Sequence, residues 1–231
     1  MNCAVDLHIH SCLSPCGDEL MTPNNIVNMA KLKGLDMIAV ADHNTARHLP
    51  AIEKVARHVG VALLPAMELC SREEVHILAY FRTVSAALAF SDEIYPHLPP
   101  VKNRPAIFGH QIELDEDDEF AREEELLLIS ALDISVDVLA DGIHAFGGLA
   151  VPAHVNRGAN GILQALGFMP SGVKFDAIEV ARDMPIPQIG MPAIKTLYSS
   201  DAHYLQNILE KVEYLDLISP DAGGFFSYIG A

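Results

Sequence analysis

The sequence predicts a parallel β/α protein, and more specifically a β/α barrel. Short apolar runs alternate along the chain with segments of helical pattern, which is the order that parallel strands joined by crossover helices require. Polar side chains follow many of the apolar runs, as expected where parallel strands end around a common mouth. No glycine-rich phosphate-binding loop follows the first strand, which disfavours an open nucleotide-binding sheet.

Capping residues mark the elements of the first third of the chain. The first strand is predicted over residues 3–8. Thr22 is typical of an N-cap, and Pro23 of the first helical residue. This helix is predicted to end at Gly34, a common C-cap residue. The elements that follow are a strand over 35–41, a helix over 45–58, and strands over 61–69 and 75–81.

The middle of the chain is less regular, because it contains a proline-rich connector and a run of acidic residues. We expect residues 85–146 to form an insertion or lid within a single domain over 1–231. The acidic run over 113–125 is typical of a solvated or mobile face. The predicted elements here are a helix over 84–94, a strand or helix start over 107–114, and a helix over 134–146. The alternation then resumes with strands over 149–154, 175–180, 193–199 and 212–217, and with helices over 161–166 and 204–209.

Composition limits the partners of the protein. The chain has 231 residues, of which half are hydrophobic, and its formal net charge is −16. Such a surface repels nucleic acid and anionic membranes, so we expect a small phosphorylated substrate, no stable nucleic-acid binding and no membrane association. An anionic substrate would need bound cations that reverse the sign of the charge locally.

The cysteines and the N-terminus indicate a reducing compartment. Cys3, Cys12, Cys16 and Cys70 do not form a disulfide framework typical of secreted proteins. Cys12 and Cys16 lack a second cysteine pair, so they are a weak signal for zinc. No signal peptide precedes the first strand and no apolar run is of membrane-spanning length. We therefore expect a cytoplasmic protein, whose oligomeric state the sequence does not indicate.

A His-x-His pair begins a set of metal-binding side chains. Alternate residues of a strand share a face, so His8 and His10 can bind one metal ion or two neighbouring ions. Imidazole and carboxylate ligands suit zinc, manganese and iron, and a carboxylate can bridge two cations. Further such side chains lie at or near the ends of later predicted strands: His43, Glu68, His76, His154, Asp201 and His203.

Taken in order from Asp6 to His203, these segments resemble the PHP (polymerase and histidinol phosphatase) superfamily of metal-dependent phosphoesterases. The resemblance implies a distorted (β/α)7 barrel with two or three divalent ions (zinc, manganese or iron) in its mouth. It implies the metal ligands His8, His10, Asp18, His43, Glu68, His76, His154, Asp201 and His203. Among them Glu68 is implied as the bridging carboxylate, and Glu68, Asp201 and His203 as catalytic residues. The segment around Asp18 departs from the family pattern, so a turn aspartate is the alternative, and Glu19 is a weaker candidate.

Other polar residues are candidates for supporting roles. Asp6 and Asp42 could orient ligands from behind. Arg157 and Arg182 follow predicted strands and are candidate substrate-binding residues, since guanidinium groups bind phosphate in bidentate fashion. The remaining histidines are interpreted as surface or hydrogen-bonded polar residues: His48, His58, His97, His110 and His144.

The predicted function is hydrolysis of a small phosphoester by a metal-bridging hydroxide in a di- or trinuclear site. Two alternatives stay open at this point. A metal-dependent amidohydrolase also places a His-x-His pair at the end of its first barrel strand. A PHP-like domain can also be a non-catalytic accessory or binding module.

Overall fold

The computed structural model describes residues 1–182, 184–185 and 194–230, which form a mixed α/β fold. The helices are α1 (Pro23–Leu32), α2 (Leu49–Val59), α3 (Val84–Ile94), α4 (Pro105–Phe108), α5 (Val136–Ala145), α6 (Ile162–Leu166) and α7 (Ala222–Ile229), with 3-10 turns at Tyr95–His97 and Leu205–Asn207. The strands are β1 (Asn2–Ile9), β2 (Met37–Val40), β3 (Ala62–Leu63), β4 (Ala66–Cys70), β5 (His76–Tyr80), β6 (Ile112–Leu114), β7 (Phe120–Glu123), β8 (Leu149–Pro152), β9 (Ala177–Glu179), β10 (Lys195–Leu197) and β11 (Tyr214–Asp216).

The described strands form separate sheets and do not close into a parallel barrel. One sheet has the order β11-β1-β2-β3, another has the order β4-β5-β8, and β9-β10 and β6-β7 are two-stranded. Strands β1, β2 and β3 run parallel, as do β9 and β10. The prediction of an α/β fold is confirmed, whereas an explicit (β/α)7 barrel is not shown.

Two antiparallel pairs explain much of this difference. Strand β5 runs antiparallel to both β4 and β8. The link between β4 and β5 contains only residues 71–75, which is too short for the crossover connection that a parallel pair requires. Isolated parallel bridges, Ile9 with Ala202 and His43 with Glu68, still bring the separate sheets together at the ends of their strands.

Several predicted elements have different bounds in the structure. The predicted strand over 61–69 is interrupted between β3 and β4, where Pro65 removes a backbone N–H donor. Helix α2 begins at Leu49 and not at 45, and only a 3-10 turn forms within 204–209. The strand predicted from 193 begins at Lys195, and residue 193 lies outside the described residues.

The acidic run is ordered where it contacts helix α1. Residues 112–123 form the β6-β7 hairpin, and Asp118 in its turn accepts hydrogen bonds from Thr22 Oγ1 at 2.6 Å and from the Asn24 backbone N at 3.1 Å. Thr22 also caps α1 by accepting a hydrogen bond from Asn25 N, as predicted. Part of the acidic run, which the sequence predicts to be a solvated or mobile face, is therefore bound to the N-terminus of helix α1. The role of residues 85–146 as an insertion or lid stays a prediction.

Apolar packing holds the strands in place. The inward face of β1, with Cys3, Val5 and Leu7, packs in a buried cluster with Phe225 and Phe226 of α7. In the part of the chain that the structure describes, no helix combines the length and the apolar character that crossing a bilayer needs. The cytoplasmic location stays a prediction.

Candidate metal centre

The predicted ligands other than Asp18 converge on one buried site, the histidine–carboxylate cluster. They come from separate elements: β1, β2, β8 and β10 deliver ligands near or beyond their C-terminal ends, His76 begins β5, and Glu68 lies in the middle of β4. The cluster consists of His8, His10, His43, Glu68, His76, His154, Asp201 and His203. Their role as ligands stays a prediction, although the structure brings them together.

Glu68 lies at the middle of the cluster, with its two oxygens facing different imidazoles. Oε1 is 3.0 Å from His76 Nδ1, 3.3 Å from His154 Nε2 and 3.5 Å from His8 Nε2. Oε2 is 3.4 Å from His10 Nε2 and 3.2 Å from His43 Nδ1. A carboxylate placed in this way can hold two cations, one on each oxygen.

The His-x-His pair forms a second focus with Asp201. The Nε2 atoms of His8 and His10 are only 3.1 Å apart. Asp201 Oδ1 lies 3.4 Å from His8 Nε2 and 3.2 Å from His10 Nε2. These three donor atoms form one of the groups that are close enough to hold a single metal ion.

Hydrogen bonds behind the cluster fix which ring nitrogen faces inward. His8 Nδ1 lies 3.1 Å from both carboxylate oxygens of Glu179. His10 Nδ1 lies 3.0 Å from Ser14 Oγ, whose hydroxyl donates to Asp42 Oδ1 at 2.7 Å. In each ring Nδ1 is therefore the donor to the residue behind it, and Nε2 is the nitrogen that faces the cluster and is available to a cation. Two acceptor nitrogens this close together favour a shared cation between them.

Two of the residues in the cluster have unusual backbone conformations. Asp201 has φ of 52° and His154 has φ of 29°, which lie in or near the left-handed region that side-chain-bearing residues seldom adopt. Such conformations cost free energy and persist where the surroundings impose them, typically at functional sites. Two buried imidazole atoms, His43 Nδ1 and His154 Nδ1, also have no hydrogen-bond partner. Unsatisfied buried donors and acceptors of this kind fit a site built for metal ions.

Charges around Glu68 shift several pKa values. Burial raises the pKa of Glu68, but the neighbouring imidazoles, first that of His76, outweigh burial and lower it well below its usual value. Burial lowers the pKa of His76, but the charge of Glu68 and the hydrogen bonds with Cys70 and Glu68 together outweigh burial and raise the pKa to about 10. The pKa of His8 is also raised well above its usual value, because Glu179 and Asp201 outweigh its burial. The carboxylates are therefore ionised, as metal ligands must be.

Imidazoles on the other side of the cluster are held neutral. Burial, followed by the charge of His10, lowers the pKa of His43 well below its usual value. The same two causes lower the pKa of His203 to about 4. Both rings are thus uncharged at neutral pH, which is the form that binds a metal ion.

The other predicted site residues lie in different places. Arg157 contacts Asp201 Oδ2, so it lies at the edge of the cluster. Arg182 instead contacts Glu213, and its guanidinium lies over the ring of Tyr198 at 5.4 Å from the centroid. An arginine side chain is long enough to pair with a nearby carboxylate, so its position after a predicted strand does not determine where it points.

Asp18 does not join the donor groups found among the described residues. Its Oδ1 accepts a hydrogen bond from Leu20 N at 2.9 Å, which is the turn aspartate that the sequence left as the alternative. Glu19, the weaker candidate, is exposed.

The supporting carboxylates act through the backbone or through a serine. Asp6 accepts hydrogen bonds from the backbone N–H groups of Ser200 at 3.0 Å and Leu209 at 2.9 Å, so it positions the segment that carries Asp201. Asp42 reaches His10 through Ser14. Three of the remaining histidines have polar partners outside the cluster: His48 with Ser11, His110 with Glu123, and His144 with Asp176.

Sequence reasoning missed Glu179 and gave Cys16, together with Cys12, only as a weak zinc candidate. Glu179 ends strand β9 and is buried against His8, and its position at a predicted strand end was a usable signal. Cys16 places its Sγ near donor atoms of His10, His43 and His203. No local pattern could reveal this proximity, because it depends on how the loop after β1 folds back.

Replacing Glu179 by alanine is expected to lower metal affinity about 10- to 100-fold, the usual cost of removing a carboxylate that orients a ligating imidazole. The carboxylate holds the His8 ring through Nδ1 and so aims Nε2 at the cluster. Competition with a fluorescent zinc chelator would measure the change. Glu213→Ala removes another buried glutamate, which contacts Arg182 instead, and should leave affinity unchanged. Equal affinity in wild type and Glu179→Ala would contradict this role.

Comparisons with known proteins relate the chain to nucleases and phosphoesterases. No family model matches it. An uncharacterized protein of Methanocaldococcus jannaschii is 34% identical over 76 residues, which cover 29% of this chain and 44% of that protein. A 5'-3' exoribonuclease of Haemophilus influenzae is 32% identical over 76 residues, which cover 32% of this chain and 27% of that enzyme. The chain therefore spans less than half the length of these curated relatives.

Solved structures match over most of the chain. The lesion-specific endonuclease Q of Pyrococcus furiosus covers 100% of this chain and 56% of its own, with a TM-score of 0.67 and 19% identity. An endonuclease Q bound to a 27-mer duplex with an abasic lesion covers 88% of this chain and 49% of its own, with a TM-score of 0.58 and 21% identity. A two-domain protein of Bacteroides vulgatus that contains a predicted PHP-like metal-dependent phosphoesterase covers 99% of this chain and 62% of its own, with a TM-score of 0.58 and 15% identity.

These matches contradict the expectation of a small substrate and no nucleic-acid binding. One endonuclease Q structure of this fold contains a DNA duplex with its lesion at the active site. The expectation relied on the net charge of −16, which is a sum over the whole surface. Bound cations can reverse the sign of the field at the one place where a phosphate contacts the protein. The chain has the fold of the PHP-like metal-dependent phosphoesterases, as its motifs predicted.

Proposed function

We propose that the chain is a metal-dependent hydrolase of phosphoester bonds and that its substrate is a nucleic-acid phosphodiester. The observation that carries the proposal is the position of Glu68, whose two oxygens face separate sets of imidazoles. This is the arrangement that a two-cation hydrolytic site requires. Zinc, manganese and iron suit the donor set of imidazoles and carboxylates.

Divalent cations in such a site supply charge neutralisation of the phosphate and lower the pKa of water from near 16 to about 7. The side chains of the cluster would position these ions. His8, His10 and Asp201 would hold one ion, His76 and His154 would hold another, and Glu68 would contribute to both. Glu179 keeps the lone pair of His8 Nε2 directed at the cluster.

Arg157 is the proposed contact to the phosphate. It shares Asp201 with the His-x-His pair, since Arg157 contacts Oδ2 while Oδ1 faces His8 and His10. Its side chain is about one-third exposed (36%), so it borders both the cluster and the solvent. A guanidinium at this edge can donate two hydrogen bonds to a phosphate while holding the carboxylate in place.

The similar proteins favour nucleic acid as the substrate. The names of the relatives include an exoribonuclease and a lesion-specific endonuclease. Many of the described arginines and lysines pair with acidic side chains, as in the Lys54–Glu116 and Lys102–Glu125 pairs. We therefore propose that the strand is held at the metal centre itself, and that the outer surface contributes little to affinity.

A substrate panel tests the proposal. Short RNA and DNA strands with a 5'-phosphate, a duplex with an abasic site, a generic phosphomonoester and an amide are incubated with manganese- or zinc-loaded protein. We expect cleavage of at least one nucleic acid and loss of cleavage with chelator. Hydrolysis of the phosphomonoester alone would overturn the nucleic-acid substrate, and hydrolysis of the amide alone would favour an amidohydrolase. Inactivity of fully metal-loaded protein on every substrate would favour a non-catalytic module.

Arg157→Ala is expected to lower kcat/KM for the cleaved strand about 10- to 100-fold, since a hydrogen bond to a charged group contributes roughly 1.5–3 kcal/mol. Arg182→Ala is the matched control, because Arg182 contacts Glu213 and lies over Tyr198. Steady-state kinetics on the same oligonucleotide compares them. A larger loss in Arg182→Ala than in Arg157→Ala would contradict the assignment.

A further inference from the structure

A second group of donor atoms lies beside the Glu68 oxygens. His10, Cys16, His43 and His203 each place one donor atom within 4.8 Å of the others. The ring centroids of His10 and His43 are 4.5 Å apart, and those of His10 and His203 are 4.4 Å apart. Cys16 is a free thiol and is only half-buried, whereas the other three cysteines are buried.

The number of acceptor lone pairs on each imidazole determines which of these residues can bind a further cation. A neutral imidazole has one acceptor nitrogen. That of His10 is Nε2, which already faces His8 Nε2 at 3.1 Å and Asp201 Oδ1 at 3.2 Å. The remaining donors of this second group are therefore Cys16, His43 and His203.

Both imidazoles have an atom ready for a ligand. His203 Nδ1 lies 2.8 Å from the Asp201 carbonyl oxygen and donates to it, so the lone pair of Nε2 is free. His43 is 2% exposed, and its Nδ1 makes no hydrogen bond although Glu68 Oε2 lies 3.2 Å away. An unpartnered polar atom this deeply buried is an independent sign of a missing ligand.

The loop that carries Cys16 is held tightly against this group. Gly17 N donates to Ser14 O at 2.9 Å, and Asp18 N donates to His203 O at 2.9 Å. A β-carbon on Gly17 would lie 2.2 Å from Ser11 O, so only glycine fits at this position. The thiol of Cys16 is thus positioned by the backbone next to the segment that carries His203.

We propose that Cys16 is a thiolate ligand of the third ion that the resemblance to the PHP superfamily implies, which His43 and His203 would also hold, and that this thiolate selects zinc over manganese or magnesium. Three protein ligands with an open position are typical of catalytic zinc, and thiolates favour zinc over the cations that prefer oxygen. The inference deepens the proposed function, because this ion would lie beside the two held by Glu68.

The surroundings of Cys16 fit a ligand better than a nucleophile. Burial, followed by the charge of Glu68, raises the pKa of the Cys16 thiol, so the thiol stays protonated without a cation. A coordinated cation removes that proton, and the resulting thiolate is held by the metal ion.

Cobalt(II) tests the inference with a spectroscopic signal that depends on sulfur. Metal-free full-length protein is titrated with cobalt(II). Ligand-field bands in the visible range report any cobalt site, whereas thiolate-to-cobalt charge transfer in the near ultraviolet reports Cys16. We expect both signals. We also expect manganese to displace cobalt more easily from sites without a thiolate ligand than from the site that gives the charge-transfer band.

Variants distinguish the possible outcomes. Cys16→Ser should lose the charge-transfer band and one bound cobalt per chain. Cys12→Ser should keep both, because the Cys12 Sγ contacts the Ile112 carbonyl oxygen instead. Ligand-field bands in wild type without charge transfer would overturn the role of Cys16 and leave the proposed function intact. Absence of both signals would overturn the two proposals together.

A second measurement does not depend on the folding of a variant. Iodoacetamide labelling of wild-type Cys16 is followed by mass spectrometry with and without zinc. Coordination should slow labelling about 10-fold or more, because the metal ion occupies the sulfur lone pair and shields the sulfur from the reagent. An unchanged labelling rate at saturating zinc would overturn the inference.

Discussion

Replacing Glu68 by glutamine is expected to lower kcat for phosphodiester cleavage by about 10³-fold, comparable to the loss of a principal electrostatic group in other hydrolases. Glutamine has nearly the same shape, but its amide presents one oxygen where the carboxylate presents two. Glu68 Oε1 faces His76 and His154, whereas Oε2 faces His10 and His43. The variant should therefore lose its bridge between cations, which metal analysis and steady-state kinetics measure separately.

Glu124→Gln is the matched control for this variant. Glu124 is also a buried glutamate, but it contacts Arg47 and Tyr95 and not the histidine–carboxylate cluster. The control should keep kcat even if its stability falls. A Glu68→Gln protein that retains more than about a tenth of wild-type kcat would contradict the bridging role.

Removing the metal ions is expected to abolish cleavage and to lower the melting temperature. An ion present at 100 times its dissociation constant stabilises the folded state by about 2.7 kcal/mol. For a chain of this length, each kcal/mol corresponds to roughly 2–4 °C. Each occupied site should thus contribute about 5–10 °C, which calorimetry of metal-free and metal-loaded protein measures.

The metal used for reconstitution provides the control. Zinc or manganese should restore both cleavage and melting temperature, whereas magnesium should do so poorly, because it prefers oxygen ligands and the cluster consists mainly of imidazoles. Chelated protein that keeps its activity would contradict a metal-dependent reaction. A melting temperature that does not change on chelation would show that the cluster binds no ion in solution.

Local patterns predicted most of the cluster, because most of its metal-binding side chains lie near the ends of strands. The alternation in β1 places His8 and His10 together, and the other ligands follow apolar runs. The hydrophobic pattern of a strand does not encode its direction, so the sequence does not predict the antiparallel pairing of β5 with β4 and β8. The short connection over 71–75 does indicate an antiparallel pair of β4 and β5, because a crossover connection does not fit within it.

Side-chain directions and long-range charge are not encoded in local sequence patterns. Arg182 turns to Glu213, and Asp18 turns to the N–H of Leu20, which no sequence spacing encodes. Glu179 was overlooked because it ends an otherwise apolar strand. The net charge of −16 led to the wrong exclusion of nucleic acid, since a total charge does not describe the field at one site.

Anomalous diffraction from crystals of metal-loaded protein, collected on both sides of the zinc and manganese edges, tests the central claim most directly. The account predicts two ions within the histidine–carboxylate cluster, both held in part by Glu68. A further zinc ion is predicted beside Cys16, His43 and His203. Anomalous peaks outside the histidine–carboxylate cluster, or a cluster without any peak in saturating metal, would contradict it.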